Sequence, residues 1–441
     1  MELPRDVPGP VPPPEPESGR DESKEFKKAL TYLKMGQLDR ARETLEAYIQ
    51  LNPDSLKAMN KYAFVLLELN KSRAAKYVLQ NLIAKGHRDF YTHFLLGRAF
   101  HREGNFQVAI QQYRNALALK PDDVYTLNGL AQALRESGQG PAAVALLARA
   151  LGVSHEDPTT FQQLTELYLE LGDTGSAGKW ADQGLAEHSG DLRLRCLRAE
   201  VYLRGGELDT ARTAYEQLAR DFPSSAEGKL GLARVLDRVG RPQEAIRELG
   251  LAFAVESKNT AVSLEQARIL AKSGDLDGAE ASLQRASELA PKDYRVLADL
   301  ADVLIQKKLK LRAYMTLKKA VALRNNYHLS HYLIGRLFLD EELYSQARDE
   351  LEFAHKLAPD HLPCRGVLAE ALVRTGALDE AMEHARALLQ LDSTNRQAQL
   401  VTALIELARN GTAATARLAE LAREHDRVAI VARAALDEPT R

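Results

Sequence analysis

The sequence predicts an all-α fold, an α-solenoid assembled from antiparallel helix pairs. Three observations carry this. Alanines 41, 75, 109, 143, 177, 211, 245, 279, 313, 347 and 381 recur every 34 residues with no insertion. Five places before that alanine stands glycine in eight of the eleven repeats. The stretches between carry apolar residues at spacings of three and four, which puts them on one face of a helix. A period of this length signals stacked two-helix modules, and 441 residues exceed what a single core supports.

The elements follow in order. Residues 1–21 hold prolines 4, 8, 10, 12, 13, 14 and 16, seven of the chain's 17. Proline locks φ and lacks the amide donor, so this segment reads as a disordered, extended tail. The repeats then begin at Glu22 and run to residue 395. Position 8 of each is small in ten of eleven cases, among them Ala29, Gly97 and Gly335. Small residues at positions 8 and 20 let two helices cross closely. Glycine at position 15 suits the left-handed turn that closes the first helix. Lys308 and Glu342 replace it in repeats 9 and 10, whose turns are therefore expected to close differently. Proline at position 32, as in Pro53, Pro121, Pro223, Pro291 and Pro359, ends the second helix. Larger residues at 7, 11 and 24 fill the remaining space, in repeat 3 Leu96, Phe100 and Tyr113. Repeat 5 is the weakest, with Thr165, Ala181 and Gly184 at positions 8, 24 and 27. Residues 396–441 continue as helix without this signature, with helices expected at 396–409, 412–424 and 426–436, and form a C-terminal cap. The apolar run Val428-Ala-Ile-Val-Ala makes docking or self-association the other reading of the cap.

The chain resembles the tetratricopeptide repeat family over residues 22–395, best in repeat 3, where Leu96, Gly97, Phe100, Gly104, Ala109, Tyr113, Ala116 and Pro121 fit its pattern. The resemblance implies a right-handed superhelix whose first helices line a concave groove. It implies that positions 2, 5, 9, 12 and 13 face that groove. In repeats 3 and 4 these give a partner-binding set of Tyr91, Phe94, Arg98, His101, Arg102, Tyr125, Asn128, Gln132 and Arg135. Aromatics, guanidiniums and amides side by side suit an extended peptide carrying a carboxylate. A secondary set is Tyr327, His328, Tyr332 and Arg336. Arg234, Arg238 and Arg268 lie between the two along the expected inner face, interrupted by Glu166, Glu200 and Asp302.

Two known binding modes of that family are not matched. The Lys/Asn/Asn/Lys/Arg clamp for heat-shock chaperone tails would need a Lys-then-Asn pair at positions 5 and 9, where Phe26/Leu30, Asn60/Phe64 and Phe94/Arg98 stand. The asparagine ladder of glycosyltransferase-linked members would occupy position 6, which reads Lys61, Leu95, Gly129, Gln163, Leu197 and Gly231.

Composition narrows the function. Lys plus Arg is 59 and Asp plus Glu 61, a net charge of −2 that argues against a nucleic-acid binder. Charge is uneven, +5 over residues 56–89 and +6 over 294–327, against −5 over 158–191 and −4 over 328–361, which steers partners more than it binds them. The run Lys307-Lys308-Leu-Lys310-Leu-Arg312 is expected at a solvated turn. Cys196 and Cys364 are too few and too distant for a disulfide framework or zinc site. His328 and His331 share a helix face but lack further ligands, so no metal or cofactor is expected. No phosphate loop, dinucleotide fingerprint or nucleophile elbow is present, and no enzyme is expected. Without a signal peptide or a run of about 20 apolar residues, the expectation is a cytoplasmic protein.

These readings converge on a non-catalytic scaffold or adaptor that binds proteins or extended peptides. The Ala- and Arg-rich style suggests a bacterial protein serving a secretion, pilus, motility or envelope machine. A peptide-sensing regulator and a non-catalytic subunit of an enzyme complex are the alternatives.

Overall fold

The computed structural model describes residues 24–409, 413–424 and 426–437. The proline-rich segment at 1–21 lies outside them. The described residues form 25 α-helices and no strand. They divide into two compact bodies, residues 24–235 and 236–437, with the division inside the helix Glu227–Arg238.

In the N-terminal body the pairs are Lys24–Lys34 with Leu38–Leu51, Leu56–Glu68 with Ser72–Ala84, Phe90–Arg102 with Phe106–Leu119, Val124–Glu136 with Gly140–Val153, Thr159–Glu170 with Thr174–Glu187, and Leu192–Gly205 with Leu208–Asp221. The C-terminal body continues with Pro242–Val255, then the pairs Thr260–Lys272 with Leu276–Leu289, Tyr294–Gln306 with Lys310–Leu323, His328–Asp340 with Tyr344–Leu357, and Leu362–Arg374 with Leu378–Leu391. Three further helices, Arg396–Ala408, Ala413–Leu421 and Arg427–Asp437, complete it.

The period-34 alanines are the deepest points of the packing. All eleven, Ala41 to Ala381, are fully buried. The glycines matter where a ring fills the space above them. A Cβ on Gly97 would stand 2.8 Å from the buried Tyr113 ring, and one on Gly231 would stand 2.1 Å from the Tyr215 ring. Tyr113 and Tyr215 occupy position 24, and Gly129 and Gly231 occupy position 6 of the following repeat, so bulk on one repeat is matched by its absence on the next. The weak repeat is repacked on the same principle. A Cβ on Gly184 would lie 2.8 Å from that of Phe161 and 2.9 Å from Leu194.

Two expectations change. Lys308 and Glu342 close their turns as glycine does, with φ of 62° and 60° beside 77° at Gly104. The backbone bonds match as well: Leu309 N donates to Leu304 O at 2.9 Å, as Asn105 N does to Phe100 O at 3.0 Å. The turn geometry is thus set by the helix crossing, and the side chains accept the strain. Position 34 also has a role that the spacing analysis did not assign. It is the N-cap of the next first helix: Asp89 accepts from Thr92 N, Asp123 from Thr126 N, Asp191 from Leu194 N and Asn395 from Ala398 N.

The last three helices form their own apolar core from Leu400, Leu404, Leu418, Leu421, Val428 and Ala432. Val428 and Ala429 are inside, and Ile430 alone of that run is exposed. The helix Arg396–Ala408 also packs Val401 and Ile405 against Leu368, Leu372 and Leu388 of repeat 11, as a further first helix would.

Candidate functional site

Successive first helices neighbour one another, and positions 9, 12 and 13 form a charged line along them. Neighbouring repeats pair these charges. In the N-terminal body Arg98 Nη2 donates to Glu68 at 2.9 Å. Arg135 Nη1 and Arg193 Nη2 donate to the two oxygens of Glu166 at 2.8 and 2.7 Å. Arg204 donates to Glu200 at 2.8 Å and Arg234 stands 3.9 Å from it. In the C-terminal body Arg268 and Lys272 donate to the two oxygens of Asp237 at 2.9 and 3.0 Å, and Arg336 donates to Asp302 at 3.3 Å. The acids read from sequence as interrupting the bases are therefore their partners. Burial alone would raise the Glu166 carboxyl, but Arg193 and Arg135 outweigh it and hold it below the usual carboxylate range.

The primary set splits on this framework. Tyr91, Phe94 and Asn128 are 2, 1 and 0% exposed. They pack between repeats and do not line an open surface. Asn128 Nδ2 donates to Thr160 Oγ1 at 2.9 Å, so its amide joins two repeats instead of waiting for a peptide backbone. Asn60 accepts from Thr92 Oγ1 in the same way at 3.0 Å. Arg98 is also buried, its guanidinium 5.6 Å from the Phe64 ring and 5.9 Å from that of Phe94. His101 stands 3.4 Å from Glu136, and Arg102 shares Glu68 with Arg98 at 3.4 Å. Burial and the neighbouring Arg98 lower the Arg102 guanidinium from its ordinary range. What faces outward is Arg102, with His101, Tyr125, Gln132 and Arg135 half-buried.

The secondary set holds together better. Tyr294, Tyr327, His328, His361 and Tyr332 form a chain of rings in edge contact across repeats 9 to 11, with centroids 4.8, 5.5, 5.2 and 5.1 Å apart in that order. All five are half-buried. Arg336 lies 5.6 Å over the Tyr332 ring. His361 Nδ1 accepts from Cys364 N at 3.2 Å. Burial lowers the His328 imidazole, and burial together with His328 lowers that of His361, so the ledge is uncharged at neutral pH. His331 turns away from it and bonds Glu350 and the Asn325 carbonyl, each at 2.6 Å. Among the described residues, no group of three or more potential ligands is placed to hold a metal ion. Burial pushes the Cys364 thiol up to about 12. The basic run of repeat 9 is mostly spent internally: Lys307 pairs with Asp277 and Glu280, Lys310 with Glu341, and Arg312 with Glu280.

The cap reaches the same line of charges. Arg427 Nη1 and Nη2 donate to the two oxygens of Glu370 at 2.6 and 3.1 Å, and its Nε donates to Asp340 at 3.3 Å. Glu370 holds position 9 of repeat 11 and is 3% exposed. Arg427 thus supplies the cation that a following repeat would otherwise bring. No sequence signal marks it, because it lies 57 residues from its partner.

Tandem helix pairs with this register, turn and packing define a repeat protein of the α-solenoid class. Tetratricopeptide repeat profiles match residues 25–55, 97–138, 196–259, 238–301 and 338–405. The chain belongs to the tetratricopeptide repeat family. A curated relative is the human protein O-mannosyl-transferase TMTC1 (Homo sapiens), 26% identical over 225 residues, which cover 50% of this chain and 25% of that protein. The match therefore spans about a quarter of the relative's length. Among solved structures, the APC/C Cut9–Hcn1 hetero-tetramer aligns over 94% of this chain and 89% of that chain with a TM-score of 0.52 and 16% identity. A tetratricopeptide repeat protein from Parabacteroides merdae aligns over 64% of this chain and 98% of that one, with a TM-score of 0.44 and 17% identity. No helix among the described residues is long and apolar enough to cross a membrane.

Proposed function

We propose that this chain is a non-catalytic scaffold that holds partner proteins, or extended segments of them, along its first-helix face in the assembly of a multiprotein machine. One observation carries the reading. The face is built of side chains that the repeats have already paired, so it is rigid and its remaining polar groups are fixed in place. Such a surface loses little freedom on binding, the condition under which modest contacts add up to affinity. Tyr125 and Gln132, half-buried on that face, replace the buried members of the predicted set as the probable test positions of repeat 4. With two free buried cysteines, the cytoplasm is the compartment we assign.

The test is capture of partners on immobilised protein from lysate of the source cells, read by mass spectrometry. A Tyr125→Ala, Gln132→Ala variant with unchanged circular dichroism runs beside the wild type. A partner held by the wild type and lost by the variant supports the face. A partner held equally by both moves the contact elsewhere on the chain. Glycosyl transfer or any other turnover by the pure protein would overturn the non-catalytic reading.

A further inference from the structure

Three arginines of this chain sit in the same kind of seat, one aromatic face and one carboxylate. Arg336 lies 5.6 Å over Tyr332 and donates to Asp302 at 3.3 Å. Arg198 lies 4.0 Å over Tyr202 and donates to Asp182 at 2.6 Å. Arg98 lies 5.6 Å over Phe64 and donates to Glu68 at 2.9 Å. The pairing is physically sound, since the ring's negative face and the carboxylate attract the same cation.

Asp299 and Tyr327 make a fourth such seat, and the chain brings no cation to it. Asp299 is exposed and has no hydrogen bond or ion pair among the described residues. Tyr327 carries no cation over its ring among them, although Asp299 is close enough to raise its phenol, after burial the largest influence on it. The nearest guanidinium, Arg295, is committed: its Nε and Nη2 donate to the two oxygens of Asp293 at 3.0 and 2.8 Å. Asp302 is held by Arg336. Of the three acids of repeat 9's first helix and its cap, Asp299 alone is left over.

We propose that Asp299 and Tyr327 receive an arginine or lysine side chain of an extended partner segment, laid against the aromatic ledge of repeats 9 to 11. The inference rests on the scaffold reading and gives it a chemistry: at this place the partner is basic, with apolar residues flanking the cation to meet His328 and Tyr332. Arginine is the better fit, because its plane can lie on the ring while its edge meets the carboxylate.

The probe is a phage-displayed library of random 12-residue peptides, selected on the full-length protein and on its Asp299→Asn and Asp299→Glu variants. Asp299 is exposed and unpaired, so the isosteric amide leaves the fold intact, which circular dichroism checks. The expected result is enrichment of peptides with arginine or lysine beside apolar residues on the wild type and on Asp299→Glu. Asp299→Asn loses that enrichment, and the best basic peptide, resynthesised, binds it at least tenfold more weakly. Replacing that peptide's arginine by citrulline weakens binding to the wild type and not to Asp299→Asn. Selection of the same peptides by wild type and Asp299→Asn, or enrichment of acidic peptides, overturns the cation seat and leaves the scaffold reading in place. Selection of no peptide by any of the three overturns both.

Discussion

Asn128 shows how a residue that looks made for binding is used for folding. Its amide and the Thr160 hydroxyl exchange hydrogen bonds at 2.9 and 3.1 Å, and both side chains are fully buried. Removing one partner strands the other out of water, which costs about 1–3 kcal/mol. Asn128→Ala is therefore expected to lower the urea midpoint by that amount and to leave partner capture unchanged. An unchanged midpoint would return Asn128 to the surface. Asp299 is the reverse case. Protein packed around it, then Asp302 and Asp293, push its carboxyl up to about 6, and Arg295 opposes them. The unfolded group titrates near about 3.9. Between these values the folded chain holds the extra proton, so stability falls as pH rises from about 4 to about 6, and the penalty is complete above that. Asp299→Asn is expected to melt above the wild type at pH 7.5 and level with it near pH 4. Sequence alone named the residue types at positions 2, 5 and 9. Whether each was spent internally depended on a partner about 30 residues away, such as Glu68 for Arg98 or Thr160 for Asn128, and spacing within one repeat does not report that.

At the scale of the helix pair, the turn at position 15 was legible and its exceptions were misread. Helix crossing fixes the chain reversal, so the backbone enters the left-handed region whatever residue stands there. For an L-residue that region costs about 1–2 kcal/mol, part of which glycine's own entropy offsets. Lys308→Gly and Glu342→Gly are each expected to stabilise by roughly 0.5–1 kcal/mol, read as a rise in the urea midpoint at constant slope. A fall would mean that Lys308 or Glu342 earns its place through contacts of its own. The alanines at position 20 and the small residues at position 8 were legible for the same mechanical reason, since two helix axes meet there. The repacking of repeat 5 was not, because Gly184 makes sense only beside Phe161 and Leu194.

Across the whole molecule, each repeat touches its neighbours and little else, so a cut should be felt locally. The C-terminal end tests this. The helix Arg396–Ala408 covers Leu368, Leu372 and Leu388 with Val401 and Ile405, and Arg427 neutralises the buried Glu370. Breaking a buried ion pair by removing one member costs about 3–5 kcal/mol, so Arg427→Met already strains repeat 11. Ending the chain at Asn395 removes both the apolar cover and the cation. Hydrogen exchange is expected to accelerate strongly in repeats 10 and 11, less in repeat 9, and not at all around Leu45, Leu79 and Tyr113, buried core residues of the N-terminal body. Arg427→Met should give the same gradient at smaller amplitude, because the helix that covers repeat 11 is still present. If protection fell equally along the chain in either variant, stability would be a property of one cooperative whole, and the cap would govern the entire array instead of closing one end of it.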